Sequence, residues 1–230
     1  VKRRFFDLHV FPNEKNLKEM VNRARELGFK ALGCTVKDRS GLKALKGILV
    51  EEEPSEIQVL TRLDLRPSVP ERFFAEVKRA RGSFDITAAE CLTRKDIITA
   101  TRSRVDILFL EPGAILGLRE GDFKPLAVSQ KFLEFNLCPL LRKRGPERVR
   151  ELSYLMSCLD WLLKLKVPII LSSGAKEPLD MRSPLDIASF FSLTGLSLEE
   201  GLKGLSKNPR ALLEILRAEK DPEGLFPSLI

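Results

Sequence analysis

The sequence predicts an α/β fold of the TIM-like (β/α) barrel type, irregular or incomplete, and three observations carry that expectation. Seven short apolar, often β-branched runs recur along the 230 residues, at Phe5–Val10, Ala31–Val36, Ile57–Leu63, Phe84–Thr87, Val105–Leu110, Phe132–Leu137 and Val167–Leu171. Helical patterns separate most of them, which suits right-handed β/α crossovers and a parallel sheet. No eighth run follows Leu171; the remainder reads as helices opening at Pro184, Leu198 and Pro209. Many successive units without a topological break favour a barrel over an open sheet, and a length of 230 residues suits one such domain spanning residues 1–230.

Taken in order, the first run carries Asp7 and His9 inside an apolar frame, and the second buries Cys34 in a strand-like context. Cys138 closes the sixth run and Cys158 rides a helix; both are expected to be buried, reduced thiols, whereas Cys91, after the fourth run, is the thiol expected at the surface. Wide spacing of the four cysteines excludes a CxxC zinc or redox pair. After Gly145-Pro146, Val149, Leu152, Leu155, Met156, Leu159, Leu162 and Leu163 recur at the spacing of one buried helix face. Beside them Tyr154, Cys158, Trp161 and Leu165 form a second apolar line. Such a breadth fits a helix wedged between neighbours or a partner surface centred on Tyr154 and Trp161, and the apolar tail with Leu225 and Phe226 poses the same choice.

The seventh run feeds a small-residue turn, Ser172-Ser173-Gly174-Ala175, and Ser183-Pro184 then opens a helix with an N-cap and a first-turn proline. Backbone N–H groups in such a loop and at a helix N-terminus suit a phosphate, with Arg182 alongside, so these four residues form a candidate phosphate loop.

Lys and Arg outnumber Asp and Glu by 39 to 32, for a net charge of +7 and an isoelectric point near 9.3. That excess favours polyanions without naming one. If the loops after the strands gather on one barrel face, they bring together Lys37, Arg39, Arg66, Arg94, Lys95, Arg142, Lys143, Arg144, Lys176 and Arg182 as candidate RNA contacts. No interleaved aromatic platform is evident among the 14 Phe residues, so backbone and shape recognition is expected. No apolar run is long enough to span a bilayer and the first residues lack the apolar core of a signal peptide, so a cytoplasmic protein without a membrane partner is expected. The high charged fraction of 31% and the single His give a thermophile-like composition.

Several segments resemble one family in order and spacing: FFDLHVFPN at Phe5–Asn13, TRLDLRP at Thr61–Pro67, SRVDILFLEP at Ser103–Pro112, and SSGA with MRSPLDIASFFSLTGL and EEGLKGLSKNPRALLE after it. Together they make the chain similar to the archaeal ribonuclease P protein component 3 family. The resemblance implies a barrel related to the polymerase and histidinol phosphatase fold, whose first strand carries a His-x-His metal pair. Here His9 keeps the first imidazole, Phe11 stands at the second position, and His9 is the sole histidine.

Hydrolase sites with two or three metals rely on several imidazoles, which this chain lacks. Asp7, Asp64, Glu90, Glu111 and Glu134 leave open an all-oxygen magnesium site or simple strand-end pairing. The expectation is therefore no catalytic residue, no metal and no cofactor on the protein itself. What the resemblance implies is a ribonucleoprotein subunit that helps the ribonuclease P RNA hold precursor tRNA, while RNA-bound magnesium removes the 5′ leader. It also implies a ferredoxin-like protein subunit as partner. The alternatives are a metal-dependent phosphoesterase using Asp7 and His9, or a barrel enzyme that grips a phosphorylated small molecule with SSGA.

Overall fold

The structure is a computed structural model and describes residues 3–50, 57–110 and 113–220. Seven parallel strands, β1 (Phe5–Val10), β2 (Phe29–Val36), β3 (Gln58–Leu65), β4 (Ile86–Cys91), β5 (Ile107–Leu110), β6 (Phe132–Asn136) and β7 (Ile169–Ser172), pair in sequence order. Around them run α1 (Leu17–Glu26), α2 (Arg39–Val50), α3 (Pro70–Ala80), α4 (Arg94–Thr101), α5 (Glu120–Ser129), α6 (Leu137–Arg142) and α7 (Gly145–Lys164). The chain continues through α8 (Pro184–Ser192), α9 (Leu198–Gly204) and α10 (Lys207–Lys220). The fourth strand begins and ends later than expected. Its Ala88-Ala89 centre lacks a β-branched signal, yet pairing with β5 extends it through Cys91.

Both faces of the sheet are covered, as a parallel sheet requires. Outward residues such as Leu32, Cys34, Leu108, Leu133, Phe135 and Leu171 pack beneath the helices. Inward residues, among them Phe6, Leu8, Ala31, Leu60, Ile86, Ile107, Phe132 and Ile170, form a second cluster with Leu212, Leu213 and Leu216 of α10. Helix α10 therefore stoppers the mouth where the strands begin, and loops that follow the strands are left at the opposite mouth.

Among the described residues no eighth strand joins β7 to β1, so the edges of those two strands must be satisfied by other means. At the α10 end, Phe6 N–H donates to the Leu205 carbonyl at 2.9 Å and Asn208 Nδ2 donates to the Ile169 carbonyl at 2.7 Å. At the other end, the chain leaving β7 folds back onto β1. Gly174 N–H donates to the His9 carbonyl at 3.0 Å and Phe11 N–H to the Ala175 carbonyl at 2.8 Å, making one parallel bridge, Val10 to Ala175. Gly174 has φ +64°, and a Cβ there would lie 2.9 Å from Asn136 Cβ, so both its conformation and its close approach require glycine.

Two sequence expectations change. Helix α7 is rotated from the predicted face: Glu151, Leu155, Cys158, Leu159 and Leu162 are buried, while Val149 is 65% and Met156 47% exposed. A Lys143–Glu151 ion pair explains how a carboxylate enters the inner face. Cys91 is fully buried like Cys34, Cys138 and Cys158, because β4 extends through it and its side chain joins the layer under the helices. All four are free thiols; burial pushes Cys138 up to about 12 and raises Cys34, Cys91 and Cys158 as well, so none is poised as a nucleophile.

The seam makes the first prediction. Gly174→Ala should destabilise the protein by about 2 kcal/mol or more. Asn208→Ala, which leaves the Ile169 carbonyl unpaired, should cost about 1–3 kcal/mol. Gly82→Ala, with nothing within 4 Å of an added Cβ, should be near neutral. Urea unfolding of the three variants measures the differences.

Candidate nucleic-acid interface and the barrel mouth

A charged layer lies above the apolar filling of the barrel. A register shift between Asp7 and Val10 breaks the alternation of β1, so Leu8 joins the lumen cluster and the next residue, His9, also reaches lumen side chains. Gly33 permits this irregularity, since a Cβ there would sit 2.2 Å from the Leu8 carbonyl oxygen. The imidazole is bracketed by carboxylates, with Nε2 3.0 Å from Asp64 Oδ2 and Nδ1 3.0 Å from Glu134 Oε2.

Arg62, fully buried, lies between the same two acids. Its Nε donates to Asp64 Oδ1 at 2.7 Å, Nη1 donates to the Leu8 carbonyl at 2.9 Å and to Glu134 Oε1 at 3.0 Å, and Nη2 lies 2.6 Å from Glu134 Oε2. Ser172 Oγ donates to Glu134 Oε1 at 2.6 Å. Phe11 and Phe109 enclose the imidazole, their ring centroids 4.6 and 5.0 Å from it.

Two cations facing two carboxylates make the layer self-neutralising. Burial and the nearby Arg62 charge disfavour a charged His9, but Asp64 and Glu134 outweigh them and raise its pKa. Burial alone would raise Glu134, whereas Arg62 and then His9 hold it at about 2; the same balance lowers Asp64. The Asn136 amide nitrogen lies 2.9 Å from Nδ1. Two donors cannot share that contact, so with His9 charged the amide turns its oxygen to the ring. Asp7 stands apart at the seam: Oδ1 accepts from Ser173 N–H at 3.0 Å, Oδ2 is unpaired, and burial raises its carboxyl to about 6.

The proposed metal donors are thus dispersed or already engaged. Asp64 and Glu134 are held by Arg62 and His9, Glu90 is held by Arg66, Asp7 serves the seam, and Glu111 lies outside the described residues. A buried guanidinium occupies the place between the two lumen acids where a cation would have to sit. Among the described residues, no group of three or more His, Cys, Asp or Glu side chains is arranged to hold a metal ion.

The phosphate loop is corrected. Ser172, Ser173, Gly174 and Ala175 are buried, and the N–H groups of the last three donate to Asp7 Oδ1, the His9 carbonyl and Ser173 Oγ. No open cradle remains, because closing the barrel uses those donors. The neighbouring helix does have its Ser183 cap, but a capping box with Asp186 already satisfies it. Arg182 is exposed, with Nη1 donating to the Leu179 and Met181 carbonyls at 2.6 and 3.0 Å.

The basic candidates lie in segments that follow strand ends, and several are paired with acids of the next β/α unit. Arg66 grips Glu90 through two contacts of 2.5 and 2.8 Å, Arg94 lies 2.8 Å from Asp122, and Arg142 lies 2.8 Å from Asp180. Lys143 pairs with Glu147 and Glu151. Lys37 is exposed beside Asp38, and Lys176 lies 5.9 Å from the Phe11 ring centroid. Lys95 and Arg144 are exposed and form no ion pair among the described residues; the Arg39 side chain lies outside them.

Of the expected partner surface, Tyr154 is 38% exposed. Trp161 is half-buried, its ring 6.2 Å from Phe123 of α5, so it is first an internal packing residue; Leu225 and Phe226 lie outside the described residues. The sequence reading missed Arg62. The alternation of TRLDL placed Arg62 in a strand interior, which was the available signal.

Because Glu134 is held near 2 against an ordinary 4.5, its stabilising contribution is complete above the ordinary value and lost as pH falls toward 2. Glu134→Gln should therefore lower stability by about 3 kcal/mol at neutral pH and flatten the acid limb of the stability curve. Unfolding measured from pH 7 down to pH 2.5 tests both; an unchanged acid limb contradicts the account.

The profile of the family described as RNase P subunit p30 matches residues 4–221. Ribonuclease P protein component 3 of Methanococcoides burtonii is 27% identical over 230 aligned residues, covering 96% of this chain and 91% of that protein. The Methanosarcina barkeri protein of the same name is 28% identical, covering 92% and 90%. A chain in a cryo-EM structure of archaeal ribonuclease P with mature tRNA superposes with a TM-score of 0.79 at 19% identity, covering 98% of this chain and 97% of that one. An amidohydrolase crystal structure superposes at 0.61 with 12% identity over 93% of this chain and 74% of that one, so the barrel itself is shared more widely than the function. The chain belongs to the RNase P subunit p30 family and is a protein subunit of ribonuclease P.

Proposed function

We propose that this subunit acts as a non-catalytic scaffold, binding the ribonuclease P RNA through the loop-side mouth while RNA-bound magnesium removes the 5′ leader of precursor tRNA. The observation that carries it is Arg62, a buried resident cation between Asp64 and Glu134 that leaves the lumen acids no capacity to organise a metal. Two features support RNA contact at the mouth: exposed Lys37, Lys95, Arg144, Lys176 and Arg182 lie in segments that follow strand ends, and Arg66–Glu90 and Arg142–Asp180 are partly exposed pairs that phosphates can exchange into at about 0–1 kcal/mol each. A ferredoxin-like protein subunit is the proposed partner, with exposed Tyr154 of α7 as one contact. Among the described residues no helix is long and apolar enough to cross a membrane.

Purified, RNA-free protein should cleave neither precursor tRNA nor a generic phosphoester, with magnesium or manganese, and should stimulate cleavage once the RNA is added. Protein-only cleavage abolished by His9→Ala would instead favour the phosphoesterase reading.

Removing a direct phosphate contact, in Arg144→Ala or Lys176→Ala, should flatten the plot of log affinity for the RNA against log salt by about 0.7–0.9. Lys207→Ala at the opposite mouth should leave the slope unchanged, and Arg66→Ala, whose charge Glu90 already offsets, should change it less. Filter binding over a salt series distinguishes these outcomes.

A further inference from the structure

Among the described Phe residues, Phe74 is the one whose side chain is exposed rather than buried or half-buried. Phe74, on the outer side of α3, is 39% exposed, while its neighbour Phe73 is 1% exposed and belongs to the core. It lines a shallow groove of about 400 Å³ between α3 and α4 together with Pro70, Ile98, Thr99, Arg94, Lys95 and Arg102. The lining holds three cations and no acid. Arg94 is offset by Asp122, but Lys95 and Arg102 form no ion pair among the described residues. Seven residues separate Lys95 from Arg102 along one helical segment, about 10 Å at the rise of an α-helix. The groove starts at the loop-side rim, at Pro70 and Arg94, and runs down the flank of the barrel.

An apolar floor with a half-exposed ring and two uncompensated cations matches what an unpaired nucleotide segment presents: a flat π-face between phosphates. A protein helix would have to bring acids to Lys95 and Arg102 as well as an apolar ridge, whereas RNA supplies charge at every step. Persistent exposure of apolar surface is a liability, with Val69 at 52% and Leu92 at 40% adjoining the groove in sequence, and it points to a resident occupant rather than a substrate that comes and goes.

Building on the scaffold reading, we propose that the α3–α4 groove is a single-stranded subsite for the ribonuclease P RNA, with one base stacked on Phe74 and flanking phosphates on Lys95 and Arg102. It extends the RNA footprint from the mouth down the side of the barrel, and it adds one stacked base to the backbone and shape recognition expected from a sequence without an interleaved aromatic platform.

The test uses the full chain with the ribonuclease P RNA and with precursor tRNA that has or lacks a leader. Phe74→Ala should weaken binding to the ribonuclease P RNA about tenfold and Phe74→Trp should restore it, with unfolding curves confirming that both variants fold. Lys95→Ala and Arg102→Ala, which alter only surface charge, should each reduce the salt slope by about 0.7. Unchanged binding in Phe74→Ala overturns the subsite, whatever the charge variants show. A loss seen only with leader-bearing precursor tRNA assigns the groove to substrate and overturns it too, as does weakened association with another protein subunit while RNA binding is intact. Stimulation of cleavage by the unaltered chain is scored separately: its failure would sink the scaffold reading, whereas its success beside an insensitive Phe74 would sink only this subsite.

Discussion

A parallel sheet of seven strands has two open edges, and most of what distinguishes this barrel follows from how those edges are satisfied. Unpaired N–H and C=O groups in a buried seam cost about as much as lost hydrogen bonds, so closure has to be complete. An eighth strand would do this with one repeating pattern. Instead, the α9–α10 connection supplies the Leu205 carbonyl and the first turn of α10 supplies Asn208 to one half of the seam, and the residues after β7 supply Gly174 and Ala175 to the other. Helix α10 can enter the mouth where the strands begin because Leu212, Leu213 and Leu216 replace the side chains a wider strand set would provide. The same closure explains why SSGA cannot cradle an anion: its donors face inward by necessity.

The other half of the lumen is polar, and its composition sets what the barrel can do. Asp64 and Glu134 with an imidazole between them would be the start of a metal site in many barrels. In this chain Arg62 reaches the same acids from β3, and Phe11 packs on the ring where a second imidazole would be needed. The layer is neutral overall and largely hydrogen-bonded, so it rigidifies the mouth instead of offering open coordination positions. Replacing one member leaves a buried charge without its partner, which is why such a layer is hard to alter piecemeal. A rigid mouth suits the proposed scaffold role, in which loops are presented in fixed relation to a folded RNA.

Those loops are tied to one another by charge. Arg66 with Glu90, Arg94 with Asp122 and Arg142 with Asp180 each join two successive β/α units, so part of the basic excess is offset within the protein. Net charge therefore overstates the attraction at that face, and the candidates without an ion pair among the described residues, Lys95, Arg144, Lys176 and Arg182, weigh more than their number suggests. In the proposed scaffold role, the partly exposed Arg66–Glu90 and Arg142–Asp180 pairs would give RNA phosphates something to exchange with without unfolding any element.

The seven strands, their parallel order, the helices opening at Ser183-Pro184 and Ser197-Leu198, and the family were legible in the sequence, because periodicity, caps and local wording are short-range properties carried by adjacent residues. The α7 face was misread by a fraction of a turn, since hydrophobicity alone could not show that Lys143 would accompany Glu151 inward. Cys91 looked exposed because a strand with two alanines carries little β signal of its own, and its pairing with β5 is a non-local fact. The lumen layer was invisible for the same reason: Arg62, Asp64, His9 and Glu134 come from three strands, and only barrel closure brings them within about 3 Å of one another. Sequence determined which segments form elements and which charges follow them; tertiary structure decided which donors closure consumes, which charges cancel, and that Phe74 stays half in solvent, because those depend on distances between residues far apart in the chain.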